Sequence, residues 1–139
     1  MATFTPATLL LRLAEQHTRL NRKLDRALSL HGINFTEFTA LKQLHGAPHE
    51  QMRRIDLAQR IGLSASGVTR LLGPMEKIGL VAKLASERDA RVRLVTLTEA
   101  GQRVLAEAET SFTHFANDTL HAFTAKERNE LARLIGKLR

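Results

Sequence analysis

Two short helical patterns joined by the turn Gly62-Leu63-Ser64 constrain this fold more than any other feature of the sequence. Ser64 is a natural N-cap for the second helix, because its hydroxyl can accept a hydrogen bond from an unpaired backbone amide. Two helices with a tight glycine-containing turn between them predict a helix-turn-helix. The apolar residues that recur at helical spacing are Leu57, Ala58 and Ile61 in the first pattern, and Val68, Leu71 or Leu72, and Met75 in the second.

A β-hairpin is predicted directly after the helix-turn-helix. The stretches "LVAKLAS" and "VRLVTLT" have strand-like composition, and the polar segment "ERDAR" separates them. A hairpin in this position is the wing of a winged helix. Arg88, Arg91 and Arg93 concentrate positive charge at its mouth. Deleting these arginines would cost the hairpin little, so we interpret their charge as serving something outside the protein.

Helices are predicted on both sides of this unit. The first runs from Pro6 to about Leu30, and Gly32 can take the left-handed conformation that ends it. The second begins after Asn34, which forms a capping-box pattern with Glu37.

Two further helices follow the hairpin. Thr98 caps the first of them, and Thr124 with Glu127 gives another capping box ahead of the last. The predicted order is ααααββαα, a mainly α (α+β) winged helix-turn-helix.

The terminal helices are amphipathic and have no obvious partner within the chain. A homodimer in which the terminal helices of two copies interdigitate would bury their apolar faces. A self-contained monomeric bundle is the alternative. In a dimer, two recognition helices about 34 Å apart would meet successive major grooves of a pseudo-palindromic DNA site. The leucines predicted to form this dimerisation region are Leu10, Leu13, Leu20, Leu131, Leu134 and Leu138.

The distribution of charge favours a polyanionic partner. A chain of 139 residues with 43% hydrophobic residues is expected to fold as one domain. Its net charge is +7, to which residues 1–50 contribute +2, residues 51–93 contribute +5 and residues 94–139 contribute 0. A basic central third is typical of a protein that binds nucleic acid, although a solvated basic surface would look the same.

Several function classes are disfavoured. The chain has no cysteine, no G-x-S-x-G, no phosphate-binding loop and no paired carboxylates on one face, so we predict no enzyme activity, cofactor or cysteine-based redox sensing. The six histidines give no spacing that argues for a metal site. Trp and Tyr are absent, which disfavours base stacking with single strands or RNA. Without a signal-like N-terminus or a membrane-length apolar run, the protein is predicted to be cytoplasmic, with no membrane partner.

Three motifs carry a resemblance to a known family. The first is "DARVRLVTLTEAG", with Asp89-x-Arg91, Leu97-Thr98 and Gly101; the second is "LAQRIGLSASGVTRLL"; the third is "GLV", which opens the wing. In motif, order and length the chain resembles the MarR family of winged-helix transcriptional regulators. The resemblance implies one MarR-type domain over residues 1–139, with dimerisation helices at 1–33 and 99–139 and a DNA-binding region at 34–98.

The resemblance also implies a function. Such proteins are triangular homodimers, usually repressors, that bind a short palindrome of double-stranded DNA and are often released by a small molecule. We therefore expect a sequence-specific transcriptional regulator. A winged-helix module that binds proteins without specific DNA binding is the alternative. The operator, the target genes, the effector and the choice between repression and activation are not encoded in any motif.

Specific residues take roles from this resemblance. Arg91 is expected to enter the minor groove, where narrow A·T-rich tracts attract arginine, with Arg88 in the groove or on a phosphate. Asp89 can orient the Arg91 guanidinium by a charge-assisted hydrogen bond. The alternative is that the Asp89–Arg91 contact only stabilises the hairpin.

Arg53 and Arg54 either touch phosphates or form a solvated pair. On the recognition helix the expected contacts are Ser64, Ser66 and Thr69 as donors to phosphates or bases, and Arg70 to guanine or a phosphate.

The dipeptide Gly73-Pro74 departs from what a recognition helix needs. Proline costs about 3 kcal/mol and glycine about 1 kcal/mol relative to alanine inside a helix. The sequence therefore predicts a kink or break after Leu72, which would leave residues 65–72 as the rigid reading segment.

Overall fold

The computed structural model describes residues 3–139, which form six α-helices and one small antiparallel sheet. Two single-turn 3₁₀ helices, Ser29–His31 and Pro48–Glu50, follow the first two α-helices. The predicted mainly α winged helix-turn-helix is confirmed. In chain order the elements are α1 (Pro6–Leu28), α2 (Phe35–His45), β1 (Gln51–Arg53), α3 (Arg54–Ile61), α4 (Ala65–Lys77), β2 (Val81–Ala85), β3 (Arg93–Leu97), α5 (Glu99–Thr119) and α6 (Ala125–Ile135).

The helix boundaries follow the local signals in the sequence. The Asn34 side chain accepts a hydrogen bond from the Glu37 amide at 2.8 Å, and the Glu37 carboxylate accepts one from the Asn34 amide at 2.9 Å. This reciprocal pair is the predicted capping box, and Thr124 forms the same arrangement with Glu127. Gly32 ends the first helical segment with a φ of +74°, in the left-handed region that glycine adopts without strain.

The sheet has one strand more than the sequence analysis predicted. Its order is β1-β3-β2, and both pairings are antiparallel. Strand β1 pairs Gln51 with Thr96 and Arg53 with Leu94. The expected order ααααββαα was therefore incomplete, because a short strand anchors the base of the wing to the chain segment before α3.

One core joins the helix-turn-helix to the wing and to α5. Leu72 is fully buried while Leu71 is partly exposed, which decides between the two residues that the periodicity left open. The largest fully buried side chains of this core are Phe38, Leu28, Leu41, Leu44, Leu57, Leu72, Met75, Val81 and Val95. The wing and the recognition helix are thus fixed to the same packed interior.

The sequence predicted a kink or break after Leu72, and the break was wrong. Helix α4 continues from Ala65 to Lys77, and Ile78 is its C-cap. Pro74 removes only the hydrogen bond that its own amide would have donated to the Arg70 carbonyl. Gly73 removes a second obstacle, because it has no β-carbon to meet the proline ring. Leu72 and Met75, both fully buried, hold the helix on either side of the dipeptide.

The outer helices are largely uncovered. Leu24 and Leu28 are the buried residues of α1, and both lie at its C-terminal end. Every residue of α6 is exposed. Within residues 3–139, no helix combines the length and the apolar character needed to cross a membrane.

Candidate nucleic-acid interface

The N-terminal half of α4 presents a polar surface above a buried apolar one. The Gly67 amide donates to Ser64 Oγ at 3.1 Å, which fixes where the helix begins. Val68 is only 3% exposed and faces the core. The predicted contact residues Ser64, Ser66, Thr69 and Arg70 are all exposed.

The hydroxyl groups on this surface are already partly committed to local hydrogen bonds. Ser64 Oγ and Ser66 Oγ are 3.2 Å apart, so one of them donates to the other. Thr69 Oγ1 donates to the Ala65 carbonyl at 3.0 Å. Thr69 is therefore less available as a donor than its residue type suggests, whereas the Arg70 guanidinium forms no ion pair within the part of the chain that the structure describes.

The wing tip is organised around Asp89. Its carboxylate accepts from the Arg91 amide at 3.0 Å, from Arg91 Nε at 3.2 Å and from Arg91 Nη2 at 3.4 Å. The hydrogen bond from the Arg91 amide, followed by that from its side chain, lowers the pKa of Asp89 below its ordinary value. The Arg91 side chain nevertheless remains 91% exposed. The Arg91 guanidinium is therefore held by Asp89 on one side and is open to solvent on the other.

A cleft of about 470 Å³ lies between α3, the start of α4 and the wing. Thr69 and Ala65 of the recognition helix share this cleft with Arg91 and Arg93 of the wing. The structure therefore brings the first turns of α4 and the wing arginines to one concave surface. A single ligand that spans this surface would contact both.

Of the predicted contact residues, Thr69 and Arg91 line this cleft, whereas Ser64, Ser66, Arg70 and Arg88 lie outside it. Arg70 lines a separate depression of about 370 Å³ with Gly67 and Pro74. Arg88 lies on the other side of the wing, in a groove that it shares with His49 and Glu87. The predicted site residues therefore surround the wing and α4 and do not converge on one point, as expected for contact with an extended partner.

The two arginines at the start of α3 both pair with carboxylates of the chain, and the Arg53 side chain remains 55% exposed. Arg53 makes a two-point contact with Asp56, with Nε–Oδ2 at 2.8 Å and Nη2–Oδ1 at 3.0 Å. This contact raises the pKa of Arg53 and lowers that of Asp56. Arg54 turns inward to Glu76, with Nη1 3.2 Å from Oε1, and donates through Nη2 to Thr69 Oγ1 at 3.4 Å. Both guanidiniums are held by carboxylates of the chain.

Two arginines line this cleft in ways that the sequence did not predict: Arg93 was given no contact role, and Arg54 was expected to touch a phosphate or to be solvated. Arg93, the first residue of β3, lines the central cleft together with Arg91 of the preceding turn. Its place in the basic cluster of Arg88, Arg91 and Arg93 was the signal that could have indicated this. Arg54 also lines the cleft, but its position depends on Glu76, 22 residues later in the chain. No local pattern in the sequence predicts the contact between Arg54 and Glu76.

Comparison with known proteins identifies the family. The model of a family described as the MarR family matches residues 31–92, which contain α2, the helix-turn-helix and most of the wing. Over these 62 of the 139 residues, the chain matches the MarR family. Proteins of the MarR family are transcriptional regulators and not enzymes, so the prediction of no enzyme activity is confirmed.

Solved structures of MarR, of a MarR family regulator and of another transcriptional regulator share the fold of this chain over nearly its whole length. A mutant MarR from Escherichia coli complexed with operator DNA has a TM-score of 0.86 at 23% identity, covering 99% of this chain and 98% of that one. Sco3205, a MarR family regulator from Streptomyces coelicolor in complex with DNA, has a TM-score of 0.85 at 22% identity, covering 97% and 87%. MosR from Mycobacterium tuberculosis, also in complex with DNA, has a TM-score of 0.71 at 27% identity, covering 94% and 93%.

Proposed function

We propose that this chain is a sequence-specific, double-stranded DNA-binding transcriptional regulator that acts as a homodimer. The observation that carries the proposal is the shared surface of the recognition helix and the wing. Thr69, on the exposed polar face of α4, and Arg91, which is hydrogen-bonded to Asp89, line one cleft. The similar MarR from Escherichia coli and Sco3205 were both crystallised with DNA.

The recognition helix α4 is proposed to enter the major groove. Ser64, Ser66, Thr69 and Arg70 are exposed at its N-cap and on its first two turns, where base edges and phosphates would be reached. The helix continues past Pro74 to Lys77, so its support is longer than the 65–72 segment that the sequence suggested.

The wing is proposed to read the minor groove. Arg91 would enter the groove, Asp89 would hold its guanidinium in the entering orientation, and Arg88 would contact a phosphate. The net charge of +5 over residues 51–93 supports this placement, because each phosphate contact releases condensed counterions.

The terminal helices are proposed to form the dimer, with residues 1–33 and 99–139 as dimerisation segments around a DNA-binding region at 34–98. Large exposed apolar side chains support it, because water disfavours such a patch. An isolated helix of the length of α6 is also marginal in water. The exposed fractions are 63% for Leu10, 44% for Leu13, 40% for Leu20, 37% for Leu131, 45% for Leu134 and 59% for Leu138.

The regulatory outcome is proposed from the match to this family. A dimer with two recognition helices would bind a pseudo-palindromic operator, repress the adjacent promoter and be released by a small molecule. Such a regulator works in the compartment that contains the chromosome, which we propose to be the cytoplasm.

Fluorescence anisotropy with the DNA directly upstream of the chain's own coding region tests this function. A scrambled duplex of equal length and composition is the control, and both are titrated across a salt series. Selective binding of one dimer per site, with an affinity that falls steeply with salt, would support the proposal. A random-sequence duplex pool serves as the second probe, since it contains operators beyond the upstream region. If neither probe yields a preferred sequence at low salt, the alternative of a protein-interaction module replaces the regulator.

A further inference from the structure

The ion pair between Arg54 and Glu76 is the most enclosed salt bridge among residues 3–139. The side chains are 17% and 20% exposed, whereas the other salt bridges involve at least one partner that is more than one third exposed. The pair connects the first residue of α3 to the last turn of α4. Glu76 Oε2 also lies 3.7 Å from Nζ of Lys83 on β2. One carboxylate thus links both helices of the helix-turn-helix to the wing.

The second nitrogen of Arg54 reaches a residue on the exposed face of α4. Arg54 Nη2 donates to Thr69 Oγ1 at 3.4 Å, and Thr69 Oγ1 in turn donates to the Ala65 carbonyl at 3.0 Å. A hydroxyl has one hydrogen and two acceptor lone pairs. With its hydrogen directed at Ala65 and one lone pair facing Arg54, the Thr69 hydroxyl has one free acceptor site.

We infer that Arg54 is a positioning residue that makes Thr69 a hydrogen-bond acceptor towards the bound DNA. This inference rests on the proposed function. Phosphate oxygens accept hydrogen bonds and do not donate them, so a hydroxyl in this state has no favourable bond to offer a phosphate. It fits a base that presents an amino group in the major groove. Adenine offers N6 and cytosine N4, whereas guanine O6 and thymine O4 are acceptors.

The inference predicts base selectivity that the residue type alone does not. We expect one position in each half-site where adenine or cytosine is preferred over guanine or thymine on the contacted strand. A single hydrogen bond in this setting corresponds to a preference of about three- to ten-fold. A threonine free to rotate would donate or accept and would show no such bias.

Selection from a pool of random duplexes, followed by quantitative sequencing, measures this bias position by position. Three variants accompany the natural chain. Thr69→Val keeps the shape and removes the hydroxyl, Arg54→Lys keeps a charge for Glu76 and removes the second nitrogen, and Glu76→Gln weakens the anchor of Arg54. Arg103→Lys, on the exposed face of α5, is the matched control for the arginine change. Thermal unfolding of each variant reports whether the fold is retained.

The expected result is that Thr69→Val and Arg54→Lys both reduce the preference at the same position towards equality. Preferences at the remaining positions, and those of Arg103→Lys, should be unchanged. A double variant of Thr69 and Arg54 should be no less selective there than Thr69→Val alone, because both changes remove one interaction. Glu76→Gln keeps this test available if Arg54→Lys fails to fold.

Three outcomes would overturn the inference. In the first, the natural chain selects a sequence that Thr69→Val reads identically. In the second, Arg54→Lys leaves the bias intact. In the third, either variant weakens all positions equally. If the natural chain selects no sequence from the pool, the proposed function fails first, and this distinguishes its failure from that of the inference.

Discussion

Gly101 on α5 lies against the backbone of Leu80 at the entrance to the wing. A β-carbon at Gly101 would be 2.2 Å from the Leu80 carbonyl oxygen and 2.7 Å from Leu97 Cδ1. Thr98 reinforces this contact, because its hydroxyl lies 2.6 Å from the Gly79 carbonyl oxygen and accepts from the Gly101 amide at 3.0 Å. The wing is therefore attached to α5 through a close backbone approach that only glycine permits.

Gly101→Ala is expected to destabilise the protein. The new methyl group must displace a backbone carbonyl, and overpacking of this kind costs about 1–3 kcal/mol. The free energy of unfolding, measured by urea denaturation, reports the loss. Gly46→Ala is the matched control, because its β-carbon would meet nothing closer than 3.6 Å, and its stability should stay within about 0.5 kcal/mol. Equal stability of the two variants would contradict the close-approach argument.

Pro74→Ala is expected to stabilise the protein. Helix α4 is continuous through Pro74, so alanine would restore the amide that can donate to the Arg70 carbonyl. The intrinsic difference between proline and alanine inside a helix is about 3 kcal/mol, and we expect a gain of about 1 kcal/mol or more after relaxation. Pro48→Ala is the control, since Pro48 occupies the first position of a helical turn, where its fixed φ is favourable. Pro48→Ala should lose stability in the same denaturation experiment; a loss for Pro74→Ala as well would show that the proline is needed for α4.

The sequence predicted the features of this fold that depend on neighbours along the chain. The caps at Asn34, Ser64, Thr98 and Thr124 involve residues three positions away, so a local pattern is sufficient to find them. Strand β1 was not predicted, because its three residues, Gln51–Arg53, form a strand only through pairing with β3. Its sequence alone carries no strand pattern.

The same distinction holds for the candidate site. The polar face of α4 and the Asp89–Arg91 contact follow from helical period and a two-residue spacing. The Arg54–Glu76 pair and the committed hydroxyl of Thr69 depend on how α3 and α4 cross, which periodicity does not specify. The prediction for Pro74 failed for a related reason. It considered the unfavourable helix propensity of proline and left out the burial of Leu72 and Met75, which stabilises the helix on both sides.

Asp89→Asn is expected to weaken DNA binding by about ten-fold, since the fixed orientation of Arg91 would be lost together with a charge-assisted hydrogen bond. Removing a negative charge should by itself strengthen binding to DNA, so the expected sign is opposite to the charge effect. Glu87→Gln is the matched control, because Glu87 is exposed on the same tip and forms no ion pair within the described residues. Fluorescence anisotropy titrations measure the DNA affinity of both variants. If the two variants bind equally, Arg91 does not depend on Asp89.

The contact between Asp89 and Arg91 is also expected to respond to pH in one direction. The pKa of Asp89 is lowered from its ordinary value of 3.8, so the folded state favours the carboxylate. The resulting contribution is present above that ordinary value and is lost as the pH falls through the lower folded value. The NMR shift of the Arg91 Nε proton should therefore stay constant between about pH 5 and 8 and change only below about pH 4. A change near neutral pH would mean that another group controls the wing tip.

Leu10→Glu is expected to weaken self-association while leaving the protomer folded. Leu10 is 63% exposed in the single chain, so a glutamate there loses little within the protomer but would bury a charge in the proposed dimer. We expect the dimer dissociation constant to rise about ten-fold or more, because an unpaired buried charge costs more than 1.4 kcal/mol.

Ile78→Glu is the matched control, since Ile78 is 59% exposed but lies at the end of α4, outside both terminal segments. Sedimentation equilibrium over a concentration series measures both variants. A dimer that Leu10→Glu leaves intact and Ile78→Glu dissociates would place the interface on the DNA-binding region, and would contradict the assignment of the terminal helices.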